Sequence, residues 1–273
     1  EVLQSDYFDD VDAVAGRIRE SAPDVLGLSV AAWSVELSSR LAATLREGRR
    51  SPFVVCGGSG LRGREKEFLE GNPDVDAVVP GAGEAPLVEI VAHLLRPGAL
   101  AGDLAGIAGI LDRDGDGVVR ETSPRPRGIP LSELPSPYDD VLLPLGETPE
   151  RLLLETERYC PFHCAYCTWA ERGTPRGELS FPMDVVRHEI RRAADRGFGE
   201  VHFYDAALNH DGERFAAILD AIESTPDRGQ LYFFFLRHEL VDRAQAERLM
   251  RFSRPALVSF GIESFSPEAL AGA

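Results

Sequence analysis

Hydrophobic patterns of helical and strand type alternate over residues 11–96. Val11, Val14 and Ile18 recur at the spacing of a helix, and the apolar run at residues 25–30 is typical of a buried parallel strand. The alternation continues with a helix around 37–45, a strand at 53–56, a helix around 68–69, a strand at 77–79 and a helix at 86–95. This pattern predicts an open α/β sheet, in which ligands bind beyond the carboxyl ends of the strands.

An acidic, glycine-containing segment at residues 112–117 imitates the start of a calcium-binding loop. The twelfth position of that loop is Ser123 instead of the glutamate that calcium requires, and apolar residues flank the segment on both sides. The Asp-Gly pairs predict instead the tip of a β-hairpin between short strands at 109–111 and 118–119.

Four strand–helix repeats follow residue 151. The predicted strands are 152–155, 201–204, 231–236 and 257–261, and the predicted helices are 183–196, 212–223 and 241–252. Because crossovers between parallel strands are right-handed, we expect a partial (β/α) barrel with its active face at the carboxyl ends of the strands. The chain begins with Glu1 instead of methionine and ends without a partner for its last strand, so we expect a fragment of a longer protein.

Seven prolines between residues 122 and 150 separate the two patterned regions. Because proline fixes φ and lacks a backbone donor, this segment is predicted to be a connector, with Tyr138 anchoring it to a neighbouring surface. The expected division is an α/β domain at 1–121, a proline-rich linker at 122–150 and the N-terminal part of a barrel at 151–273.

The net charge of −16 opposes nonspecific binding to nucleic acids and to anionic lipids. No apolar stretch approaches the ~18 residues of a membrane-spanning helix, and no signal peptide precedes the first predicted helix. We therefore expect a cytoplasmic protein without nucleic-acid or membrane partners.

Three of the four cysteines lie within eight residues, at Cys160, Cys164 and Cys167. Thiolates with this C-x3-C-x2-C spacing, shortly after a predicted strand, can hold an iron–sulfur cluster and leave one iron open for a substrate or cofactor. Two of them also match half of a zinc site, whose fourth ligand would be His163, His202 or His210. A disulfide framework is not expected, because the fourth cysteine is far away in sequence.

The loops after the second and third predicted strands are rich in glycine, at residues 57–60 and 81–84. Gly58, Gly60 and Gly63 match the spacing of the dinucleotide-binding fingerprint. That fingerprint belongs to the first strand–helix turn and needs an acidic residue at the end of the next strand, whereas Asp76 precedes that strand. NAD binding is therefore not expected.

The cysteine motif, with an aromatic residue before its last cysteine, resembles the radical S-adenosylmethionine (SAM) superfamily. Both halves together resemble radical SAM enzymes with an N-terminal cobalamin-binding domain, which implies a [4Fe-4S] cluster on the three cysteines, SAM and cobalamin. The resemblance implies that cobalamin approaches the backbone closely beside Ser29, Gly57, Gly58, Gly81, Gly83 and Glu84. The D-x-H-x-x-G signature of many cobalamin proteins is absent, as it commonly is from the radical SAM branch.

In the barrel half, the resemblance implies SAM contacts at the ends of the strands. Asp205 and Asn209 follow the second strand as candidates for the SAM amino group, and Arg237 follows the third as a candidate for its carboxylate. Glu263 follows the fourth strand and would accept hydrogen bonds from the ribose, while Tyr166 would pack on the adenine. The alternative for each is an ordinary polar residue at a strand end.

The function that this resemblance implies is a cobalamin-dependent radical SAM methyltransferase, which methylates an unactivated carbon by way of a 5′-deoxyadenosyl radical. Its partners would be a small-molecule or peptide substrate and an electron donor such as flavodoxin or ferredoxin. Two alternatives stay open: a cobalamin-associated rearrangement or cyclisation without methyl transfer, and a non-catalytic zinc-binding interaction module.

Overall fold

The computed structural model describes residues 10–48, 50–98, 103–125, 129–138, 150–158, 160–162, 164, 167 and 180–270. The chain divides into two compact units between Ile129 and Pro130, within the segment predicted to be a connector. Each unit has its own hydrophobic core and its own sheet.

The first unit is an α/β domain whose helices are α1 (Val11–Ser21), α2 (Val35–Arg46), α3 (Glu65–Gly71) and α4 (Glu84–Leu94). Its strands are β1 (Val25–Ser29), β2 (Phe53–Gly57), β3 (Ala77–Val79), β4 (Leu111–Arg113) and β5 (Val119–Glu121). The first three strands are parallel neighbours in chain order, which confirms the predicted parallel sheet. The predicted hairpin is present and extends that sheet by two antiparallel strands beyond β3, but its strands begin one to two residues later than predicted, so that Asp112 and Arg113 belong to β4 and not to the turn.

Both faces of this sheet are covered, which explains why its central strands read as continuous apolar runs. Val54, Cys56 and Val78 pack into one buried cluster. Val55 and Val79 point the other way, into a second cluster with Ile90 of α4. Successive side chains of a strand point to opposite faces, so both sets must be apolar when both faces are buried.

The acidic residues of the hairpin stabilise the hairpin itself. Asp112 is 1% exposed and accepts two hydrogen bonds of 2.7 Å from the guanidinium of Arg120, directly across the strand pair. The side chain of Asp114 accepts from the backbone N–H groups of Asp116 and Val118, at 3.0 and 2.9 Å, and so closes the tip.

The second unit contains a parallel sheet in the order β6 (Arg151–Leu154), β7 (Glu200–Phe203), β8 (Leu231–Leu236) and β9 (Ala256–Phe260). Its helices are α5 (Met183–Arg196), α6 (Gly212–Ser224), α7 (Arg243–Met250) and α8 (Pro267–Leu270). The four predicted strands and the first three helices are confirmed. Helix α7 begins two residues later than predicted because Asp242 caps its start, accepting from the N–H of Gln245 at 2.8 Å, and it ends two residues earlier, at Met250.

Tyr138 supplies hydrogen bonds to the outer edge of β6. Its hydroxyl donates to the carbonyl of Leu153 at 2.7 Å and accepts from the N–H of the same residue at 2.8 Å. The ring packs edge-on against Phe198, with 5.9 Å between the ring centroids. The predicted anchor is therefore confirmed, and it satisfies the backbone of an edge strand that would otherwise be open to pairing.

No helix in the described part of the chain is long and apolar enough to cross a membrane.

Candidate cofactor sites

The cysteine loop begins after β6, at the carboxyl edge of the parallel sheet. Cys160 is 9% exposed, Cys164 is partly buried and Cys167 is exposed, and all three are free thiols. The N–H of Cys167 donates to the carbonyl of Cys164 at 3.0 Å, which places these two in one turn. Tyr166 and His163 lie outside the described residues.

Both ends of the segment that carries the cysteines are tied together. Glu157 and Ser180 form an isolated antiparallel bridge, and the Ser180 hydroxyl donates to the Glu157 carboxylate at 2.7 Å. Arg214 of α6 donates to the carbonyls of Thr156 and Phe181, at 2.9 and 2.8 Å. The sheet and α6 therefore fix the points at which this segment leaves and returns.

Arg237 reaches the cysteine loop from the end of β8. Its Nη1 donates to Sγ of Cys164 at 3.3 Å, and its Cζ lies 4.0 Å from the centroid of the Phe162 ring. The guanidinium also forms an ion pair with Glu239. A cation is thus held beside one of the three thiols.

The thiols influence one another electrostatically. Burial raises the pKa of Cys160, while a hydrogen bond from the backbone of Phe162 and the charge of Arg237 act against that rise. The other two cysteines raise the pKa of Cys160 further. Three soft sulfur donors on one loop, next to a cation that offsets their charge, fit the ligand chemistry of an iron–sulfur cluster.

No group of three His, Cys, Asp or Glu side chains among the described residues is arranged to hold a metal ion, so the structure does not bring the three cysteines together as a metal site. The histidines that could complete a zinc site add no support for one. His202 contacts Glu200 at 2.9 Å and stacks on Phe233, and His210 contacts Glu157 at 2.7 Å. Both described candidates for a fourth zinc ligand therefore already have partners.

Asp205 follows β7 and is 2% exposed. Its Oδ1 accepts from the N–H and the hydroxyl of Thr156, at 3.0 and 2.8 Å, which links the loops after β6 and β7. Its Oδ2 is buried and has no hydrogen-bond partner in the described part of the chain. Burial raises the pKa of Asp205 to about 7; the Thr156 hydroxyl lowers it, and the nearby charge of Glu157 raises it.

We expect the Asp205→Asn variant to lose less stability than the wild type between pH 4 and pH 7. The folded protein keeps a proton on Asp205 up to a pKa of about 7, whereas the unfolded chain releases it near 3.8. The native state therefore binds more protons in this window, and the free energy of unfolding falls as the pH rises. Between pH 4 and pH 7 the free energy of unfolding of the wild type should fall by at least about 1.4 kcal/mol more than that of the variant, the equivalent of one pKa unit.

Urea unfolding at several pH values between 4 and 8 measures this difference. Asp195→Asn is the matched control, because Asp195 lies on the exposed surface of α5 and the substitution is chemically the same. Parallel pH profiles for Asp205→Asn and the wild type would show that the buried carboxyl does not hold its proton.

Asn209 positions Arg237. Its amide nitrogen donates to the carbonyl of Arg237 at 3.0 Å and to the side chain of Gln245 at 3.1 Å. Its amide oxygen accepts from the N–H of Arg237 at 2.8 Å. The predicted SAM residues Asp205 and Asn209 thus direct their side chains to neighbouring loops, a use that sequence reasoning missed because it depends on how the loops pack.

Glu263 lies in the segment after β9 and has a φ of 59°. Its carboxylate folds back over Gly261, where a Cβ atom would come within 2.7 Å of Oε1. A largely apolar pocket of about 410 Å³ lies in the same region, lined by His238, Phe260, Ile262, Ser264, Phe265 and Leu270. The structure therefore places Glu263 near a concave surface at the ends of β8 and β9.

In the first unit, the predicted cobalamin residues share the carboxyl edge of the sheet. Ser29 and Gly57 are paired across β1 and β2, Gly58 follows β2, and the remaining three occupy the β3–α4 turn at Gly81, Gly83 and Glu84. Trp33, which was not among the predicted residues, lies in the β1–α2 loop and is 73% exposed.

Comparisons with known proteins show what the chain is similar to. Residues 1–91 match the B12 binding domain family. A 2-(S-pantetheinyl)-carbapenam-3-carboxylate methyltransferase of Streptantibioticus cattleyicolor is 30% identical over 229 residues, which are 80% of this chain and 32% of that protein. The cobalamin-dependent radical SAM methyltransferase TokK of Streptomyces tokunonensis is 32% identical over 192 residues, which are 67% of this chain and 27% of TokK.

The chain spans about a third of the length of these relatives. Its fold is that of the radical SAM methyltransferase TsrM from Kitasatospora setae, with a TM-score of 0.71 at 20% identity. That similarity covers 96% of this chain and 53% of TsrM. The TsrM structure contains a tryptophan substrate and a SAM analogue.

Proposed function

Because this chain is a homologue of cobalamin-dependent radical SAM methyltransferases and carries a B12-binding domain, we propose that it is part of an enzyme that methylates an unactivated carbon. The observation that carries the proposal is the cysteine loop, which follows a strand of the second parallel sheet in the same chain as the B12-binding domain. A soft three-thiol donor set leaves a coordination position open for SAM.

In this proposal, Cys160, Cys164 and Cys167 hold a [4Fe-4S] cluster. The cluster, SAM and cobalamin would together supply one-electron cleavage of a C–S bond and a transferable methyl group. The protein contributes fixed positions, since Arg214 ties the base of the loop to α6 and Asn209 orients Arg237. Tyr166 and Glu263 stay candidates for the adenine and the ribose of SAM.

Cobalamin would bind at the carboxyl edge of the first sheet, beside Ser29, Gly57, Gly58, Gly81, Gly83 and Glu84. The exposed ring of Trp33 offers an apolar surface at the same edge, of the kind that a corrin ring covers. Small residues there keep side chains away from a bulky ligand. These features support the proposal that the B12-binding domain contacts its cofactor through these turns.

The proposed partners are a small-molecule or peptide substrate and a one-electron donor such as flavodoxin or ferredoxin. The net charge of −16 argues against nucleic acid as the substrate. The four free cysteines suit the reducing cytoplasm as the compartment.

Product analysis tests this function. The chain is reconstituted anaerobically with iron and sulfide, with or without hydroxocobalamin, and is then given SAM and a chemical reductant. We expect 5′-deoxyadenosine in both samples and S-adenosylhomocysteine only where cobalamin was added, because that product requires transfer of the SAM methyl group. Release of 5′-deoxyadenosine alone in both samples would favour rearrangement over methylation. Bound zinc without iron, and no SAM cleavage, would contradict both functions.

A further inference from the structure

We propose that Arg237 sets the reduction potential of the cluster by donating a hydrogen bond to the Cys164 sulfur. This inference rests on the proposed function, since it requires a cluster on the three cysteines. It assigns Arg237 a different role from the SAM-carboxylate contact that sequence reasoning predicted for it.

The contact between Arg237 and the cysteine loop has two components. The 3.3 Å distance from Nη1 to Sγ of Cys164 is that of an N–H···S hydrogen bond, and the guanidinium also lies over the face of Phe162 with Cζ 4.0 Å from the ring centroid. Cations over aromatic faces at this distance are attracted to the ring. A hydrogen bond and a ring contact from the same loop together determine where the positive charge lies.

Each nitrogen of the guanidinium has a partner. Nη1 bonds the sulfur of Cys164, while Nε and Nη2 both contact Oε1 of Glu239. A carboxylate of SAM would therefore have to displace Glu239 or Cys164 to form a bidentate pair. These existing partners favour a role in which Arg237 acts on the sulfur of Cys164.

The backbone of Arg237 is fixed as well. Asn209 accepts from its N–H at 2.8 Å and donates to its carbonyl at 3.0 Å, so both polar groups of that peptide segment are held by one side chain. The Arg237 side chain is 28% exposed, so solvent screens its charge only in part. A preorganised cation of this kind acts on its neighbour at little entropic cost.

The positive charge of Arg237 would make the cluster easier to reduce. Reduction makes the cluster and its thiolates more negative by one charge, and a nearby N–H donor with a positive charge stabilises that state. One electron passes from the external donor to the cluster, and no bond to Arg237 forms or breaks. Removing Arg237 should therefore shift the reduction potential to a more negative value, whereas removing the opposing charge of Glu239 should shift it to a more positive one.

Redox titration without SAM tests the inference, with the reduced cluster followed by electron paramagnetic resonance. We expect a negative shift for Arg237→Gln, a smaller negative shift for Arg237→Lys and a positive shift for Glu239→Gln. Arg248→Gln is the matched control, because Arg248 pairs with Asp220 and Glu223 instead of the cysteine loop. Its potential should equal that of the wild type.

The outcomes separate this inference from the proposed function. An unchanged potential in Arg237→Lys and Glu239→Gln, together with weaker SAM binding, would overturn it and return Arg237 to the SAM carboxylate. If Arg237→Gln takes up no cluster, the lysine and Glu239 variants still decide by the opposite signs of their shifts. A wild-type chain that takes up no iron would contradict the proposed function itself, and this inference with it.

Discussion

Alanine in place of Cys164 is expected to abolish iron–sulfur binding and, with it, SAM cleavage. The variant keeps only two of the three sulfur ligands and removes the group that Arg237 contacts. Because Cys164 is only partly buried, the fold of the second unit should survive the loss of its thiol. Iron and sulfide content after anaerobic reconstitution, together with the broad visible absorption of the cluster, measures the effect. A near-complete loss of bound iron is the expected result.

Cys56→Ala is the matched control for this experiment. Cys56 lies buried in β2 of the first unit, where burial, and after it the charge of Asp76, raise its pKa to about 12. Its thiol therefore stays protonated and does not act as a ligand. We expect full cluster content and a loss of about 1 kcal/mol in stability, since a small buried group is removed. Retention of the cluster in Cys164→Ala, or its loss in Cys56→Ala, would contradict the assignment.

Much of the fold could be predicted because each buried element has a simple hydrophobic period. Helix α5 has the bounds expected from the sequence, and the parallel strands of the two sheets lie within one residue of their predicted ends. The partner of the β4–β5 hairpin could not be predicted in this way. The Asp-Gly turns identify a hairpin, but pairing with β3 depends on which sheet edge the chain reaches.

The site could be predicted in part. The cysteine spacing predicts the three thiols as cluster ligands, which stays a prediction, and Arg237, predicted at the end of β8 as a SAM contact, lies beside Cys164. The partners of buried polar side chains were out of reach, because they depend on loop packing. Asp205 bonds Thr156 and Asn209 bonds the backbone of Arg237, and neither pair has a sequence signature. From the sequence alone, a polar residue at a strand end can therefore be either a residue that positions a loop or a residue that contacts a ligand.

Gly58→Ala is expected to destabilise the first unit by about 3 kcal/mol or more and to abolish cobalamin binding through that loss. Gly58 has a φ of 123° and a ψ of 170°, a region that essentially only glycine occupies. A Cβ atom there would lie 2.5 Å from the carbonyl oxygen of Val30, which itself accepts from the N–H of Gly60 at 2.9 Å. Urea unfolding of the apoprotein and retention of corrin absorption measure both effects.

Alanine variants of two neighbouring glycines distinguish the cost of backbone strain from the cost of a steric clash. Gly63 has a φ of 75° with nothing within 4 Å of a Cβ, so Gly63→Ala should cost only about 1 kcal/mol. At Gly60 a Cβ would come within 2.4 Å of the carbonyl carbon of Ala31, so Gly60→Ala should destabilise strongly through contact alone. If Gly58→Ala unfolds like the wild type but binds no cobalamin, its glycine serves the cofactor. A large loss of apoprotein stability would show instead that the fold itself requires this glycine, because the chain after β1 lies against the turn after β2.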